Sequence, residues 1–540
     1  MRKPTVLIAV PVLAAALFWS GFQTARDDDF YAMRKNFELF GSVYEEIVGS
    51  YMTRVDPERF MRTGMDAMLQ TLDPWTDFLD EADNVAMEMR GQSGLGEVPV
   101  NLGSKGGRVT VLAPDALTGA YLQGVRTGDV IHSVDGEVAD SLSVVQVREL
   151  LRGEPDTTVP VIVDRAGDGQ LEFQLKREPP VISFVSTTMR IEGTDLALVK
   201  LDAFGPGAAF EIDSALEDLH EERPIEGVVL DLRGNPGGLV NEAIKLVGLF
   251  VPKATPVVST RGRSPESNRL YANQDEPDWL EMPLVVLVDR ASASASEIVS
   301  GALQDLDRAV VVGQPSFGKG LVQVVRPLPY HTAVKLTYSR YFTPSGRGIR
   351  KDALEEGAEP MQTFRTRRGR EVREGNGIEP DVALPMPDAG PLEQALLREA
   401  AFFRFAGVLV QAEGDAIRAA TSASGRLELP DDALDRFALW LDAEGFALTT
   451  SFDEALAELQ AVAPESATGQ LTELRALASR QTDEALAEEA PALLARLADE
   501  VGARLLDPNE RSRLQMRSDA SMLEAVSVLT SNRYASILGT

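Results

Sequence analysis

The chain has 540 residues, 83 of them acidic and 53 basic, which gives a formal net charge of −30. A surface this acidic repels phosphate backbones, so nucleic acid is not an expected partner. The chain has no Cys, which removes disulfides, thiolate metal sites and cysteine nucleophiles. Its three histidines, His132, His220 and His331, are far apart in the sequence. A hydrolytic base is therefore expected among other residue types.

The N-terminal segment predicts export. Between Lys3 and Arg26 lie 22 uncharged residues, close to the ~20 that span a bilayer. This layout is typical of a secretory signal, and because no clear small-residue cleavage site follows, an uncleaved membrane anchor is equally open. Residues 1–25 are assigned to one of these two, and both export the rest of the chain.

Residues 30–90 predict an N-terminal helical domain. Apolar residues recur at three- and four-residue steps from Phe30 to Tyr51, which marks one apolar helix face. A second helix is expected to start at Asp56, an N-cap residue type that is followed by Pro57.

The rest of the chain predicts three further regions. Residues 91–178, here called the β module, carry short apolar runs separated by glycine turns, which predicts a β-rich domain. In residues 179–388, the core, strand-like and helix-like segments alternate, which predicts an α/β fold. Residues 389–540 are rich in Ala, Leu and Glu and lack the short apolar runs between turns that are typical of strands, so they predict a helical extension.

A serine-rich segment, Ser292-Ala-Ser-Ala-Ser-Glu297, follows an apolar strand and opens a helix. A nucleophile at a helix N-terminus gains from the positive end of the helix dipole and from unpaired backbone N–H groups. Those N–H groups also suit a developing oxyanion. The alternative is an ordinary serine N-cap, which is common in proteins.

A glycine-flanked lysine follows 25 residues after Ser294, in Ser316-Phe-Gly-Lys-Gly320, with Gln323 four residues beyond Lys319. Lowering a lysine pKa from ~10.4 to near 7 costs about 4–5 kcal/mol, which burial supplies. A neutral amine held by an amide such as that of Gln323 then accepts a serine proton. The alternative is a solvated surface lysine.

A nucleotide site is a rival interpretation of the same loop. Gly313 to Gly320 nearly matches the phosphate-binding pattern G-x-x-x-x-G-K-[ST]. Gly320 lacks the hydroxyl that binds Mg²⁺ in that pattern. An alternating segment, Leu321–Val325, follows and predicts a strand where the pattern requires a helix.

A second glycine-rich segment, Leu232-Arg-Gly-Asn-Pro-Gly-Gly-Leu239, leads from a predicted strand into a helix. Such a turn exposes backbone N–H groups and suits an oxyanion hole. A purely structural turn is the equal alternative.

Together these segments resemble the C-terminal processing peptidases, also called tail-specific proteases. The resemblance covers residues 30–386 and rests on LDLRGNPGG (230–238), SASASE (292–297), GALQDLDRAVVVG (301–313), SFGKGLVQ (316–323), YFTPSGRGI (341–349) and GIEPDV (377–382). It implies a multidomain α/β chain: a crotonase-like α/β protease core with an inserted PDZ-like β-rich module, an N-terminal helical region and a C-terminal helical extension.

Residue by residue, the resemblance assigns the family's nucleophile to Ser294 and its base to Lys319. The lysine-orienting glutamine falls on Gln323, and the oxyanion donors fall on the backbone N–H groups of Gly238 and Ala295. Because every position matches, the resemblance implies an active enzyme.

The β module resembles the family's PDZ domain. Gly94, Leu95, Gly96 and Glu97 occupy the carboxylate-binding loop, whose N–H groups receive a peptide C-terminus while the peptide adds as a strand. The segment Val98-Pro99-Val100 departs from the family pattern, because a proline removes a strand donor.

Arg152 matches an LRG signature of the same family, within Leu151-Arg-Gly153. It is assigned to peptide binding and to coupling of the β module with the core. A surface salt bridge is the equal alternative.

The resemblance implies an exported serine endopeptidase that captures apolar protein C-termini and cleaves through an acyl-enzyme on Ser294. It needs no metal or cofactor, and its expected location is the periplasm or the outer face of the bacterial cytoplasmic membrane. The helical extension is expected to mediate self-association or partner binding. The alternative function is a non-catalytic PDZ scaffold that binds protein C-termini without cutting them.

Overall fold

The computed structural model describes residues 31–81, 95–114, 119–165, 167–178, 183–349, 362–375, 377–385, 389–444, 446, 459 and 468–539. The predicted signal or anchor, residues 1–25, lies outside these ranges. Within them, no helix has the length and apolarity needed to cross a membrane. The chain divides into two compact units, Met1–Met89 with Gln323–Thr337, and Arg90–Val322 with Tyr338–Thr540.

The first unit contains helices in the region where the sequence predicts them. Asp56 accepts hydrogen bonds from the N–H groups of Glu58 and Arg59, as an N-cap does. The elements are α1 (residues 31–50), α2 (Pro57–Gln70) and β1 (Asp77–Leu79). β1 pairs antiparallel with residues 333–335.

The β module, in the second unit, is an antiparallel sheet with strand order β2-β3-β4-β6-β7. Its elements are β2 (Val100–Lys105), β3 (Arg108–Pro114), α3 (Gly119–Leu122), β4 (Val130–Val134), β5 (Glu137–Val138), α4 (Val144–Leu151), β6 (Thr158–Arg165) and β7 (Gly169–Lys176). Alternate side chains of β6 are buried, namely Val159, Val161 and Val163. This period of two is that of a half-buried strand. β2 lies at one edge of the sheet and contacts α4.

The core is built on a six-stranded sheet with order β19-β14-β13-β10-β9-β8. The strands are β8 (Val185–Arg190), β9 (Leu196–Leu201), β10 (Gly227–Asp231), β13 (Leu284–Val288), β14 (Val310–Gly313) and β19 (Val382–Ala383). All neighbours are parallel except β8, which pairs antiparallel with β9. The helices α5 (Ala208–Glu222), α6 (Val240–Gly248) and α7 (Ala295–Asp305) connect these strands.

Further strands extend the core. They are β11 (Pro256–Arg261), β12 (Arg269–Ala272), β15 (Leu321–Pro327), β16 (Ala333–Phe342), β17 (Thr363–Arg365) and β18 (Glu371–Arg373). β11 pairs antiparallel with β12 and with the last residues of β16, and β17 pairs with β18.

Seven helices are assigned within the described residues of the helical extension, which leave out residues 445, 447–458 and 460–467. They are α8 (Pro391–Arg398), α9 (Ala401–Ser424), α10 (Ala433–Ala443), α11 (Thr468–Leu505), α12 (Pro508–Ser518) and α13 (Ala520–Leu529), and a last helix follows, α14 (Arg533–Leu538). A contact between the extension and the β module lies at Phe403, whose ring is 4.1 Å from the guanidinium carbon of Arg504 and 5.4 Å from Nζ of Lys105.

The main sheet of the core is covered on both faces. Leu284, Val286 and Val288 of β13 are buried with the helices α5 to α7, on one face. Val285 and Leu287 are buried on the other face, with side chains of α13 and α14, namely Met522, Ala525, Val528 and Leu538. A parallel strand buried on both faces needs an unbroken apolar run, which explains the sequence LVVLV. The predicted mixed α/β chain with a helical C-terminal region is thus confirmed.

Candidate active site

Ser294 lies at a strained turn between β13 and α7. It is the N-cap residue of α7, with φ 56° and ψ −109°. A positive φ is uncommon for a residue with a side chain, and costs of order 1–3 kcal/mol, so it persists only where the surrounding structure imposes it. Such strain is typical of a nucleophile on a sharp strand-to-helix turn. This geometry distinguishes Ser294 from a relaxed serine N-cap.

The two neighbouring serines have structural roles. Ser292 and Ser296 are each 0% exposed. The Ser292 Oγ donates to the carbonyl of Leu232 at 2.8 Å, and the Ser296 Oγ donates to the carbonyl of Asn235 at 3.0 Å. Of the three serines in this segment, only Ser294 is partly exposed and so within reach of a substrate.

The glycine-rich turn after β10 packs directly against Ser294. At Gly237, where φ is +100°, an added Cβ would lie 2.9 Å from the Ser294 Cβ and 2.6 Å from the carbonyl oxygen of Ala293. Only glycine permits so close an approach. Asn235 holds the turn, because its carbonyl accepts the N–H of Ala293 at 3.0 Å. The structure therefore brings together the two segments that were predicted to carry the nucleophile and the oxyanion donors.

Both predicted oxyanion donors lie outside the local backbone pairing. Gly238 forms a parallel bridge with Phe204, but the bridge uses the carbonyl of Gly237 and the N–H of Leu239. Ala295 is the first residue of α7, and the first N–H groups of a helix have no partner within the helix. The chemistry of the two groups therefore suits a negatively charged oxygen.

A buried carboxylate, Glu297, joins the serine turn to the lysine loop. Its Oε2 accepts the main-chain N–H of Ser294 and that of Lys319, each at 2.8 Å, so the two nitrogens are at most 5.6 Å apart. Its Oε1 accepts the Ser316 Oγ and the N–H of Gly318, each at 2.6 Å. One side chain thus fixes both loops.

Two opposing effects act on this carboxyl. Burial raises the pKa of Glu297, since a charge loses its hydration, and hydrogen bonds from Ser316, Gly318, Ser294 and Lys319 lower it by a smaller amount. The net pKa is above the usual value for Glu. The four contacts nevertheless all come from donors, which is the arrangement that a carboxylate needs.

Lys319 lies between two buried glycines, Gly318 and Gly320, and is itself half-buried. It is therefore not an ordinary solvated surface lysine. β15 begins at Leu321, directly after the loop. Because a phosphate-binding loop must lead into a helix, the strand removes the nucleotide-site interpretation.

Gln323 belongs to the first unit, where its Nε2 donates to the carbonyl of Trp75 at 2.7 Å. That bond fixes the orientation of the amide and makes Oε1 its accepting end. The role of Gln323 in orienting Lys319 stays a prediction.

The predicted carboxylate-binding loop is only partly open to a ligand. Gly94 lies outside the described residues, and Leu95 is 47% exposed. The N–H of Gly96 donates to the carbonyl of Gly153 at 2.7 Å, and the N–H of Glu97 donates to that of Glu178 at 3.0 Å. These two N–H groups are therefore occupied in this structure.

Arg152 forms local ion pairs in the β module. Its Nη1 lies 2.6 Å from Glu149 Oε1, and its Nε lies 3.8 Å from Glu97 Oε2. It also ends α4 as the C-cap. These contacts fit the salt-bridge interpretation, and the coupling role stays a prediction.

Sequence reasoning missed three residues that build this site. Glu297 had a detectable signal, because Ser294 and Glu297 have the S-x-x-E spacing of a capping box. Asn235 holds the glycine-rich turn, and Asp289 accepts the N–H groups of Gly234 and Ser292, each at 3.0 Å. The sequence does not reveal the bonds of Asn235 to Ala293 and of Asp289 to Gly234, since each joins two segments that are distant in the sequence.

Comparison with known proteins identifies the family. Residues 195–360 match peptidase family S41, and residues 392–529 match the family described as probable PDZ-protease, C-terminal helical domain. A carboxy-terminal-processing protease of Bartonella bacilliformis is 30% identical over 393 residues, 72% of this chain and 83% of that protein. The chain belongs to the carboxy-terminal processing proteases of family S41.

Two further similar proteins are also named as C-terminal processing proteases. The carboxy-terminal processing protease CtpB of Bacillus subtilis is 29% identical over 365 residues, 66% of this chain and 70% of that protein. A solved photosystem II D1 C-terminal processing protease is 29% identical, with 63% of this chain and 85% of that chain covered and a TM-score of 0.37. As a member of this family, the protein is a serine endopeptidase that acts on proteins. The predicted enzyme class is confirmed, and the non-catalytic scaffold is not supported.

Proposed function

We propose that this protease recognises the C-terminal tail of a protein through a PDZ domain and cuts with a Ser294–Lys319 dyad. The observation that carries the dyad is the shared carboxylate, because Glu297 Oε2 accepts the N–H of both residues at 2.8 Å. Nitrogens at most 5.6 Å apart lie within the reach of a four-carbon lysine side chain.

In the proposed reaction the Ser294 Oγ attacks the carbonyl carbon of the scissile peptide bond while its proton passes to the neutral amine of Lys319. The N–H groups of Gly238 and Ala295 donate to the oxyanion that forms. The lysine then gives its proton to the departing amine, and water hydrolyses the acyl-enzyme. Gln323, whose Oε1 is an acceptor, orients the lysine amine.

The PDZ assignment is supported by the edge of the β module. β2 is an edge strand beside α4, which is the layout in which a peptide adds as an extra strand. Exposed apolar side chains on the loop and on α4, Leu95 at 47% and Val145 at 66%, suit an apolar tail. Around Pro99, the N–H of Val100 donates to the carbonyl of Val98 at 2.8 Å, so this N–H is unavailable to a peptide.

Three further features are proposed on narrower support. The core sheet with its connecting helices suits the crotonase-like assignment. The charge and apolar pattern of residues 1–25 supports export to the periplasm or to the outer face of the cytoplasmic membrane. Self-association is proposed for residues 391–518 of the extension, because α13 and α14 are already buried against the core.

Cleavage of a peptide with a free apolar C-terminus tests the dyad. Ser294→Ala and Lys319→Ala are each expected to lower kcat/KM by about 10³-fold or more, since the residues of such a unit act together. Lys200→Ala is the matched control, because Lys200 is a partly exposed lysine on β9. If both dyad variants cut the peptide as fast as the wild type, the site is assigned wrongly.

A further inference from the structure

An ion pair connects the C-terminal helices to the glycine-rich turn of the active site. The Oδ2 of Asp519 accepts a hydrogen bond from Nη1 of Arg233 at 2.6 Å. Arg233 lies five residues before Gly238 in the turn after β10. A residue close to the end of the chain therefore contacts the segment that carries a proposed oxyanion donor.

Arg233 is held from two sides. Its Nε and Nη2 donate to the two oxygens of Asp231 at 2.9 and 2.7 Å, and the same carboxylate accepts the main-chain N–H of Arg233 at 3.0 Å. Burial lowers the pKa of Arg233, but Asp231 and Asp519 together raise it by more, so the guanidinium stays charged. Asp231 thus anchors Arg233 from its own strand, and Asp519 anchors it from outside the turn.

Asp519 is itself fixed. Its Oδ1 accepts the N–H groups of Ser521 and Met522 at 2.8 and 3.2 Å, so it is the N-cap of α13. The helix that it caps is buried against the core sheet through Met522, Ala525 and Val528. One oxygen of the carboxylate therefore caps a packed helix, while the other binds Arg233.

We propose that Asp519 is a positioning residue of this protease: by holding Arg233 it fixes the turn that presents the N–H of Gly238. The inference rests on the proposed function of that N–H. The same turn packs against Ser294 through Gly237, so a shift at Arg233 changes the spacing between nucleophile and oxyanion donor. A misplacement of ~1 Å in such a site costs about 10²-fold in rate.

The test is steady-state cleavage of a tail peptide by the full-length Asp519→Asn variant. Asn caps a helix as well as Asp does, so α13 keeps its N-cap while Arg233 loses its charged partner. The variant is expected to lower kcat about tenfold while KM stays within about twofold. The midpoint of thermal unfolding is expected to stay within about 2 °C of the wild type.

Two matched controls separate positioning from general docking of the extension. Glu192→Gln removes the 2.6 Å ion pair between Glu192, in the β8–β9 turn, and Arg517 of α12. Asp507→Asn changes the N-cap of α12, whose Oδ1 accepts the N–H of Glu510 at 2.9 Å. Both are expected to keep the wild-type kcat, and an equal loss of kcat in Glu192→Gln would overturn the proposal.

A second measurement does not depend on catalysis. Amide hydrogen exchange of residues 232–239 is expected to be faster in Asp519→Asn than in the wild type and unchanged in Glu192→Gln. Wild-type exchange together with wild-type kcat in Asp519→Asn overturns the proposal. A Ser294→Ala variant that still cuts the peptide would instead refute the proposed function, and the exchange measurement would then decide the role of Asp519 alone.

Discussion

The loops at residues 94–97 and 234–238 were predicted to do similar work, which is to offer main-chain N–H groups to a negatively charged oxygen. In the β module the N–H groups of Gly96 and Glu97 are already bound to backbone carbonyls. At the candidate active site the N–H groups of Gly238 and Ala295 lie outside the local backbone pairing. The two glycine-containing loops therefore differ at the positions predicted to bind an anion: the N–H groups of Gly96 and Glu97 are occupied, whereas that of Gly238 is outside the local pairing.

The difference comes from what packs against each loop. Gly96 faces Gly153 across a pair of backbone hydrogen bonds at 2.7 and 3.1 Å, so neighbouring backbone satisfies it. Gly237 instead meets the strained turn at Ser294 through van der Waals contact. Its own N–H donates to Asn235 Oδ1 at 2.8 Å, and the N–H of the next residue, Gly238, lies outside the backbone pairing. Glycine indicates that backbone comes close, but the neighbour decides whether a donor stays available.

Among the variants that test this comparison of loops, the largest effect is expected from Gly237→Ala. The new Cβ would lie 2.6 Å from the Ala293 carbonyl oxygen and 2.9 Å from the Ser294 Cβ, so the serine turn must shift. We expect kcat to fall about 100-fold, because the nucleophile and the oxyanion donors separate. Peptide cleavage measures the loss.

Gly234→Ala is the control from the same turn. Its φ is +75°, but an added Cβ meets nothing within 4 Å. The substitution is expected to cost about 1–2 kcal/mol of stability through backbone strain and to leave kcat within about threefold of the wild type. A similar loss of kcat in both variants would show that strain, and not the contact with Ser294, matters at Gly237.

A smaller effect is expected from Glu297→Gln. The amide keeps one accepting oxygen but turns an NH₂ group toward two of the four donors. Two buried donors left without partners cost about 2–6 kcal/mol of stability, and we expect kcat to fall about tenfold as both loops loosen. Glu242→Gln is the matched control, since Glu242 is a buried carboxylate of α6 that accepts the N–H of Ala209, and it should leave kcat unchanged.

The same variant tests the effect of burial on Glu297. Burial raises its pKa above the reference value of 4.5, so the folded protein binds this proton more tightly than the unfolded chain. The resulting stability is present below that value and is lost as pH rises through the folded pKa. The unfolding midpoint of the wild type, relative to that of Glu297→Gln, should therefore decrease as the pH is raised above 4.5. A rising difference would mean that the four donors outweigh burial.

The smallest effect is expected in the β module, from Val145→Asp. A charge on this exposed residue of α4 should repel an apolar tail and its carboxylate, and raise KM about fivefold with kcat unchanged. Val138→Asp, on β5, is the control, because Val138 is similarly exposed at 53%. Equal KM values in the two variants would mean that the substrate tail does not bind beside Val145.

Much of the candidate site could be predicted, because the residues proposed to carry its chemistry lie in contiguous segments. Ser294 and Lys319 each stand in a short motif, and the strand before Ser294 and the glycines beside Lys319 are visible in the sequence. The roles of Asn235 and Asp289 were not predictable, because each acts on a segment that only folding brings near. The capping-box spacing from Ser294 indicated Glu297, but not its bond to Lys319.

By itself the sequence determined the class of fold and the candidate segments for the chemistry, because periodicity, glycine turns and short motifs are local. Only the tertiary structure decided that the end of the chain covers the second face of the core sheet and that Asp519 reaches Arg233. The sequence of an amphipathic helix shows which of its faces is apolar, but it does not show which surface of the protein will bury that face. Which partner it meets is settled when the whole chain packs.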